Sequence, residues 1–340
     1  MTTTKYTNIA VIGAGNWGTT LANLLADKGL NVDLWVREEE VYQQIKQKRI
    51  NETFLPGIEL ATSLNPVKSF KEALYNKDLA LMVVPSNFFR GVLENMKQHL
   101  QPGIPIISAT KGIENDTLKT MSQVSEEVLS DDKIDMFSCL AGPSFANEVV
   151  RKLPTAITIA SRNIHHAEEL QQLFSTEYFR VYANNDLIGL ELCGALKNVI
   201  AIAAGASDGL KFGLNARAAL ITRGLVEITR LGVAMGANPM TFAGLAGMGD
   251  LVLTCTGDLS RNRTVGLKIG QGKSLDEIVS SMHNVAEGVK TSKSAYQLSK
   301  RMNIDMPIIT QVYEILYEKK DPRMAVKELM TRELKREIEN

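Results

Sequence analysis

A glycine-rich turn between two strand-like runs most restricts how this chain can fold. Gly13, Gly15 and Gly18 follow the apolar run "NIAVIG" and lead into a helical pattern over residues 17–28. A second strand-like run, "NVDLWV", covers residues 31–36. This order of strand, glycine turn, helix and strand is typical of a parallel sheet whose first turn binds a dinucleotide.

Each of the three glycines has its own physical role in such a turn. Gly13 permits the tight turn, Gly15 lets the backbone approach a pyrophosphate, and Gly18 lets the helix pack closely on the sheet. The N-terminus of the following helix attracts the phosphate groups. The alternative is a glycine turn without a ligand, and the flanking strand and helix make that alternative much less favoured.

The end of the second strand bears on the choice between NAD and NADP. Asp33 is about the expected distance from the glycines for a ribose-binding acid, but it stands near the start of the strand. Arg37 stands at the strand's end, where a guanidinium suits a 2′-phosphate. Three acids follow, and the first of them, Glu38, is able to accept from a ribose hydroxyl instead. The sequence therefore leaves both cofactors open, with a preference for NADPH.

Strand-like runs alternate with helical patterns up to about residue 184, and only helical patterns follow. Several runs are apolar on both faces, as in a sheet that is covered on both sides. The alternation predicts a doubly wound, Rossmann-type α/β domain over residues 1–185, followed by an all-α domain over residues 186–340. The predicted strands are 8–13, 31–36, 78–84, 104–110, 136–141, 155–161 and 179–184. The predicted helices are 17–28, 87–100, 117–129, 187–206, 215–235, 260–271, 275–282, 288–302, 308–319 and 323–338.

Composition disfavours several classes of function. Lys plus Arg number 38 and Asp plus Glu number 38, so the basic excess typical of a nucleic-acid partner is absent. The chain has no run of about 18 uncharged apolar residues, so no membrane helix is predicted. The N-terminal stretch lacks the pattern of a secretory signal. We therefore expect a cytoplasmic protein with reduced thiols and no metal site. The cysteines are widely spaced, at Cys139, Cys193 and Cys255.

Four further stretches place polar side chains at the ends of predicted elements. Lys111 follows a strand at the edge where open α/β sheets bind ligands. "LAGPSFANEV" predicts a helix that starts near Ser144, where free backbone N–H groups favour an oxyanion. Asp250 stands in a glycine-rich turn, and "SRNR" (260–263) places arginines at a helix start, a set suited to a phosphate. Each also has a plain interpretation as a surface lysine, a helix cap or a solvated turn.

A single lysine, Lys197, interrupts the apolar helical stretch "ELCGALKNVIAIAAGA". Its neighbours on the same helical face are mostly small, which indicates that another backbone or a ligand packs closely there. A lysine that extends along the helix to solvent is one interpretation. The other is a proton donor for hydride transfer, with a pKa lowered by burial or by a second cation such as Lys111. In that case Asn198 helps to orient the site, and the glycines and alanines leave room for nicotinamide and substrate.

The histidines offer no competing acid or base. None of the four stands in a motif with an acid partner, so each is expected to be structural or solvated. They are His99, His165, His166 and His283.

Seven ordered blocks resemble the bacterial NAD(P)-dependent glycerol-3-phosphate dehydrogenases across nearly the whole chain. The blocks are "GAGNWGT", "ATKGIE", "AGPSFA", "ELCGALKNVIAIAAG", "GLAGMGDLVLTC", "SRNRTVG" and "VAEGVKT". The resemblance implies a Rossmann domain joined to a helical domain related to that of 6-phosphogluconate dehydrogenase. It also implies interconversion of sn-glycerol 3-phosphate and dihydroxyacetone phosphate, which supplies the backbone of phospholipids.

The resemblance also implies roles for particular residues. Lys197 is implied to exchange the proton at the C2 oxygen, Lys111 to polarise the carbonyl, and Arg261 to hold the substrate's phosphate. The implied cofactor-binding residues are Gly13, Gly15, Asn16, Trp17, Gly18, Arg37, Lys111, Ala146, Arg261, Val285 and Glu287. The implied substrate-binding residues are Lys111, Gly142, Ser144, Lys197, Asp250, Ser260, Arg261 and Asn262.

One departure from the family pattern and two alternatives remain. Asn16 stands where the family commonly has serine, and both residues can cap the helix and donate to a phosphate. A related lysine-dependent hydroxyacid or ketopantoate-type dehydrogenase is one alternative, although "SRNR" favours a small phosphorylated substrate. A non-catalytic dinucleotide sensor is the other. A homodimer is possible, but composition does not locate an interface.

Overall fold

The computed structural model describes residues 5–129, 136–282, 286–334 and 336–337. Contacts group the chain into two units. The first contains the chain up to Ala195 together with Gly232–Asp250, and the second contains Leu196–Leu231 together with the chain from Leu251 onward. The predicted boundary at 185/186 marks where strands give way to helices, and as a domain boundary it stays a prediction.

The first unit is built on an eight-stranded sheet with the order β10-β9-β8-β7-β6-β1-β2-β5. All neighbours pair in parallel except β8 and β9, which are antiparallel. The prediction of a Rossmann-type sheet followed by helices is confirmed. The strands are β1 (Asn8–Ile12), β2 (Asn31–Trp35), β3 (Ile50–Asn51), β4 (Leu55–Glu59), β5 (Leu64–Val67), β6 (Leu79–Met82), β7 (Ile106–Ser108), β8 (Phe137–Ala141), β9 (Thr155–Ser161) and β10 (Phe179–Asn184).

All seven predicted strands are present, and three short strands were not predicted. The edge strand β5 contains Pro66, and β4, which pairs only with the two-residue strand β3, contains Pro56 and Gly57. Proline has no N–H to donate to a ladder, so such strands survive only at edges and give a weak sequence signal.

Helices account for the rest of the regular structure. The predicted helix 323–338 is wrong in its second half, because the observed helix ends at Met330. The predicted helix 117–129 begins only at Met121. The helices are α1 (Asn16–Asp27), α2 (Glu39–Lys48), α3 (Phe70–Leu74), α4 (Ser86–Lys97), α5 (Met121–Val128), α6 (Ala146–Val149), α7 (Ile164–Phe174), α8 (Leu187–Gly209), α9 (Gly213–Ala234), α10 (Pro239–Ala243), a π-helical segment (Leu245–Gly249), α11 (Asp250–Thr256), α12 (Arg261–Gly270), α13 (Leu275–Ser280), α14 (Glu287–Met302), α15 (Pro307–Tyr317) and α16 (Pro322–Met330).

Helix α8 is long, apolar and largely buried. Within the described residues it is the one helix long and apolar enough to cross a membrane, but 89% of its most apolar window is buried inside the protein. In the second unit its backbone lies directly against that of α12. A Cβ on Gly205 would lie 2.0 Å from the carbonyl oxygen of Arg263, and a Cβ on Gly266 would lie 2.0 Å from that of Ile202. Only glycine permits this approach.

Candidate active site

The glycine turn has the open geometry that a dinucleotide needs. A Cβ on Gly13 would lie 2.4 Å from the carbonyl oxygen of Val83, and one on Gly18 would lie 1.9 Å from that of Gly13, so both positions are closed to side chains. A Cβ on Gly15 would meet no atom within 4 Å. The backbone at Gly15 therefore faces open space where a pyrophosphate can approach, and the turn fits the predicted cofactor.

The start of α1 differs from the predicted cap. Gly15 is the N-cap, and Asn16 is the first helical residue, so the prediction that Asn16 caps the helix is wrong. Its side-chain oxygen accepts from the N–H of Trp17 at 2.8 Å. Among the described residues no side chain caps this helix, which leaves N–H groups of its first turn for an anion.

The carboxyl end of β2 presents cations that are partly balanced by acids. The guanidinium of Arg37 lies over the ring of Phe88, 5.6 Å from its centroid, and lies 3.7 Å from a carboxylate oxygen of Glu38. The amine of Lys68 donates to the carbonyl oxygen of Arg37 at 3.0 Å. Asp33 instead forms an ion pair with Lys77, with 2.5 Å between nitrogen and oxygen, so its carboxylate is already engaged.

Lys111 and Asp250, predicted separately, lie together in the first unit. The amine of Lys111 lies 3.2 Å from a carboxylate oxygen of Asp250, which is almost completely buried. Asp250 does not stand in a turn as predicted, because it opens α11 directly after the π-helical segment. The carboxylate thus holds the Lys111 amine at the carboxyl end of β7.

The segment after β8 makes a tight backbone turn. Gly142 has φ +149°, and a Cβ there would lie 2.8 Å from the Cα of Ile157. The hydroxyl of Ser144 donates to the carbonyl oxygen of Gly142 at 3.0 Å. The helix predicted to start near Ser144 begins instead at Ala146, after Phe145 as N-cap. Because α6 has only four residues, its N-terminus does not by itself support the predicted oxyanion site.

Lys197 is buried rather than extended toward solvent. Its side chain is 5% exposed, and its amine donates to the hydroxyl of Thr254 at 2.7 Å. Thr254 was not among the predicted residues. Its one sequence signal is its place a helical turn after Asp250 in "GDLVLTC", where both side chains share a face of α11.

Two buried amides join three helices in the second unit. Asn198 accepts from the side-chain amide of Asn262 at 2.9 Å, and the amide oxygen of Asn262 accepts from the N–H of Gly288 at 2.9 Å. Asn262 was predicted to bind substrate, and these contacts give it in addition a structural part in fixing α12 and α14 beside α8.

The start of α12 separates the two arginines of "SRNR". Arg263 forms ion pairs with Asp208 at 2.8 Å and Asp258 at 3.0 Å. Ser260 is the N-cap and accepts from the N–H of Arg263 at 3.2 Å, so the interpretation of Ser260 as a helix cap is correct. Arg261 is exposed and forms no ion pair within the described residues. Its guanidinium is therefore the one in this stretch that is available to a phosphate.

One further predicted residue lies at the start of α14. Glu287 is the first residue of that helix. Val285 lies outside the described residues, as does His283.

Two of the four histidines lie in α7. His165 pairs with Glu168 of its own helix at 3.2 Å. His166 is buried, and burial lowers its pKa.

Comparison with known proteins points to one family over both parts of the chain. Residues 8–167 match the family described as NAD-dependent glycerol-3-phosphate dehydrogenase N-terminus, and residues 186–327 match the corresponding C-terminus. The chain is 55% identical over 331 residues to "Glycerol-3-phosphate dehydrogenase [NAD(P)+]" of Syntrophobacter fumaroxidans, covering 97% of each chain. It is 58% identical to the protein of that name from Geobacter sulfurreducens, covering 97% of this chain and 98% of the relative.

A solved structure gives the same result. A crystal structure of glycerol-3-phosphate dehydrogenase from Coxiella burnetii has a TM-score of 0.91 and 40% identity with this chain, and the match covers 96% of this chain and 99% of that one.

Proposed function

Since this chain belongs to the NAD-dependent glycerol-3-phosphate dehydrogenase family, we propose that Lys197 and Lys111 carry its chemistry. The protein is an oxidoreductase that interconverts dihydroxyacetone phosphate and sn-glycerol 3-phosphate with NAD(P)H, a role consistent with phospholipid synthesis. When bound, the reduced nicotinamide supplies a hydride to C2 of the substrate. The protein's own residues must then supply the proton and hold the phosphate.

The buried amine of Lys197 is the observation that carries this assignment. The contact of 2.7 Å to the Thr254 hydroxyl gives the amine a defined direction. A positioned amine can deliver a proton to the C2 oxygen as negative charge develops there, and can take it back in the reverse reaction. Burial of a lysine is unfavourable unless something compensates for it, so a catalytic role accounts for its presence in an apolar helix.

Lys111 has a separate, electrostatic role in this proposal. Its ammonium, held by the buried carboxylate of Asp250, stabilises the developing charge on the carbonyl oxygen. The Asp250 carboxylate holds the Lys111 amine in position, and no histidine is assigned a role in this proposal. The other residues proposed to bind substrate are Gly142, Ser144, Ser260 and Asn262.

Arg261 holds the substrate's phosphate, and Arg263 provides a matched control. We expect Arg261→Ala to raise the KM for dihydroxyacetone phosphate about 10–100-fold, because charge-assisted hydrogen bonds to phosphate are among the strong ones. Arg263→Ala removes an arginine two residues away whose guanidinium is held by Asp208 and Asp258. That variant should lose thermal stability while changing KM much less. Equal KM changes in both variants, measured by steady-state kinetics, would remove the distinction.

The cofactor site consists of the glycine turn and the end of β2. Gly13, Gly15 and Gly18 form the turn, and Asn16 and Trp17 follow it in α1. In this proposal Arg37 binds the 2′-phosphate of NADPH, whereas Glu38 binds the ribose of NADH. The other proposed contacts come from Lys111, Ala146, Arg261, Val285 and Glu287.

An assay with purified protein tests the function directly. We expect oxidation of both NADPH and NADH with dihydroxyacetone phosphate. At low cofactor concentration, oxidation of NADPH should be the faster of the two. With 6-phosphogluconate or ketopantoate the rate should be small at most. Cofactor binding followed by fluorescence, without turnover of any of these compounds, would instead support the dinucleotide sensor. Turnover confined to ketopantoate would support the other alternative.

Three features of the whole protein belong to the same proposal. The dinucleotide-binding domain covers residues 1–185, and the all-α domain covers residues 186–340. The protein acts in the cytoplasm on a small phosphorylated substrate. The match of separate families to residues 8–167 and 186–327 supports this division.

A further inference from the structure

A buried carboxylate outside the proposed catalytic set joins α8 to α5. Glu191, in the second turn of α8, is 6% exposed. One of its oxygens accepts from the N–H of Ser122 at 2.7 Å, and the other accepts from the Ser122 hydroxyl at 2.5 Å. Ser122 lies in the first turn of α5, so the carboxylate of one helix satisfies the free N-terminal N–H of another.

Helix α5 already has a local device at its N-terminus. The N–H of Thr120, the N-cap, donates to the side chain of Gln123 at 3.1 Å. Burial raises the pKa of Glu191 to about 7, with the Ser122 hydrogen bonds opposing that rise. A carboxylate that is costly to bury is therefore added to a helix end that has its own cap. What it adds is the connection to α8.

The same face of α8 also contacts Lys111. Gly194 lies three residues after Glu191, and a Cβ there would lie 3.6 Å from the Cγ of Lys111. Lys111 begins the segment that leads into α5, and Ser122 lies just past its end. One turn of α8 therefore touches the segment at both ends.

The connecting segment is folded back on itself. The N–H of Glu114 donates to the carbonyl oxygen of Lys119 at 2.9 Å, and the N–H of Leu118 donates to that of Glu114 at 3.0 Å. The side chain of Glu114 is held by the guanidinium of Arg90 at 2.7 Å. Because these bonds close the loop between residues 114 and 119, we expect a shift at its α5 end to reach Lys111.

We propose that Glu191 is a positioning residue for Lys111: by holding the start of α5 against α8, it fixes the loop that carries the Lys111 ammonium. This inference rests on the proposed role of Lys111 in catalysis. A displacement of about 1 Å at a reacting centre can lower turnover about 100-fold, which sets the upper range of the expected effect.

Glu227 provides a matched control in the second unit. Like Glu191, it is a buried carboxylate that accepts hydrogen bonds at the start of a helix. Its donors are the N–H groups of Ile308 at 2.7 Å and Ile309 at 3.1 Å, both in α15. Burial raises its pKa to about 7 as well. Glu191→Gln and Glu227→Gln therefore make the same chemical change in the same kind of setting.

The first experiment compares these two variants by thermal unfolding, cofactor binding and steady-state kinetics. Both should unfold at similar temperatures, and the Kd for NADPH should change far less than kcat/KM, because the pyrophosphate is assigned to the glycine turn. Only Glu191→Gln should lower kcat/KM for dihydroxyacetone phosphate, by about 10–100-fold. Ser122→Ala, which removes one donor from the other side of the contact, should lower it in the same direction. Wild-type kcat/KM in a folded Glu191→Gln enzyme overturns the proposal, and so does an equal loss in Glu227→Gln.

A double-mutant cycle separates this inference from the function on which it rests. If Glu191 acts through Lys111, Lys111→Met/Glu191→Gln should be no slower than Lys111→Met alone. Losses that multiply instead overturn the positioning role while leaving Lys111 catalytic. Undiminished activity in Lys111→Met contradicts the proposed function of Lys111 itself, and the inference fails with it.

Discussion

Replacement of Lys197 by methionine should lower kcat by about 100–10,000-fold in both directions of the reaction, because the proton donor is lost. Methionine nearly matches the length of the lysine stem, so the apolar helix keeps its packing. The hydroxyl of Thr254 loses the amine that donates to it at 2.7 Å. Loss of this one hydrogen bond should lower the free energy of unfolding by about 1 kcal/mol. Stopped-flow measurement of NADPH oxidation in a single turnover gives the rate of the chemical step.

Two controls make the Lys197 result specific. Lys290→Met removes an exposed lysine of α14 and should leave kcat unchanged. The Kd of Lys197→Met for NADPH should stay within about twofold of wild type, because the cofactor's pyrophosphate is assigned to the glycine turn. A folded Lys197→Met enzyme with near-normal turnover would exclude this lysine as the proton donor and return it to a structural role.

Replacement of Gly205 by alanine should lower the free energy of unfolding by about 3 kcal/mol, as overpacking does when neither side can yield. The added Cβ would lie 2.0 Å from the carbonyl oxygen of Arg263 and 2.8 Å from the N–H nitrogen of Leu267. Both are backbone atoms of α12, so the two helices must separate. Because α12 begins with Arg261, the same change should raise the KM for dihydroxyacetone phosphate.

Gly91→Ala is the matched control for the helix crossing. Gly91 lies within α4, is exposed, and a Cβ there would meet nothing within 4 Å. Helix propensity alone predicts that either substitution stabilises the protein by about 1 kcal/mol. We therefore expect opposite signs from the same chemical change, measured by denaturant unfolding. Stabilisation by Gly205→Ala would show that α8 and α12 do not approach as closely as described.

The parts of the fold that were predicted correctly depend on local patterns. The glycine turn and the apolar strands carry their signal within a few residues, so all seven predicted strands are present. Helix α2 was missed because only Val41 and Ile45 are buried in it, which leaves almost no apolar stripe to detect. The antiparallel direction of β9 has no signal in its own residues, since strand direction depends on the neighbouring strand.

The candidate site was predicted only in part, because some of its contacts join residues that are distant in sequence. The small face of α8 was interpreted as room for nicotinamide and substrate, but Gly205 and Gly209 lie against the backbone of α12 instead. A helix's sequence shows that something packs closely on it, and only the folded chain shows what. Thr254 and Glu191 were missed because each acts through a partner distant in sequence.

The reversed direction of β9 and β10 has a consequence for which changes the chain can accept. Since β10 runs opposite to β8, it delivers the start of α8 to the amino edge of the parallel strands, and α8 then runs back until Gly194 lies beside Ala141 at the carboxyl end of β8. Each inserted residue turns a helix by about 100° and lengthens it by about 1.5 Å. Substitutions between residues 187 and 193 can keep this phase, whereas a single insertion or deletion there would turn Gly194 away from Lys111 and Ala141. The number of residues in this stretch is therefore more strictly constrained than their amino-acid types. Natural variation in α8 should consist of substitutions without insertions or deletions.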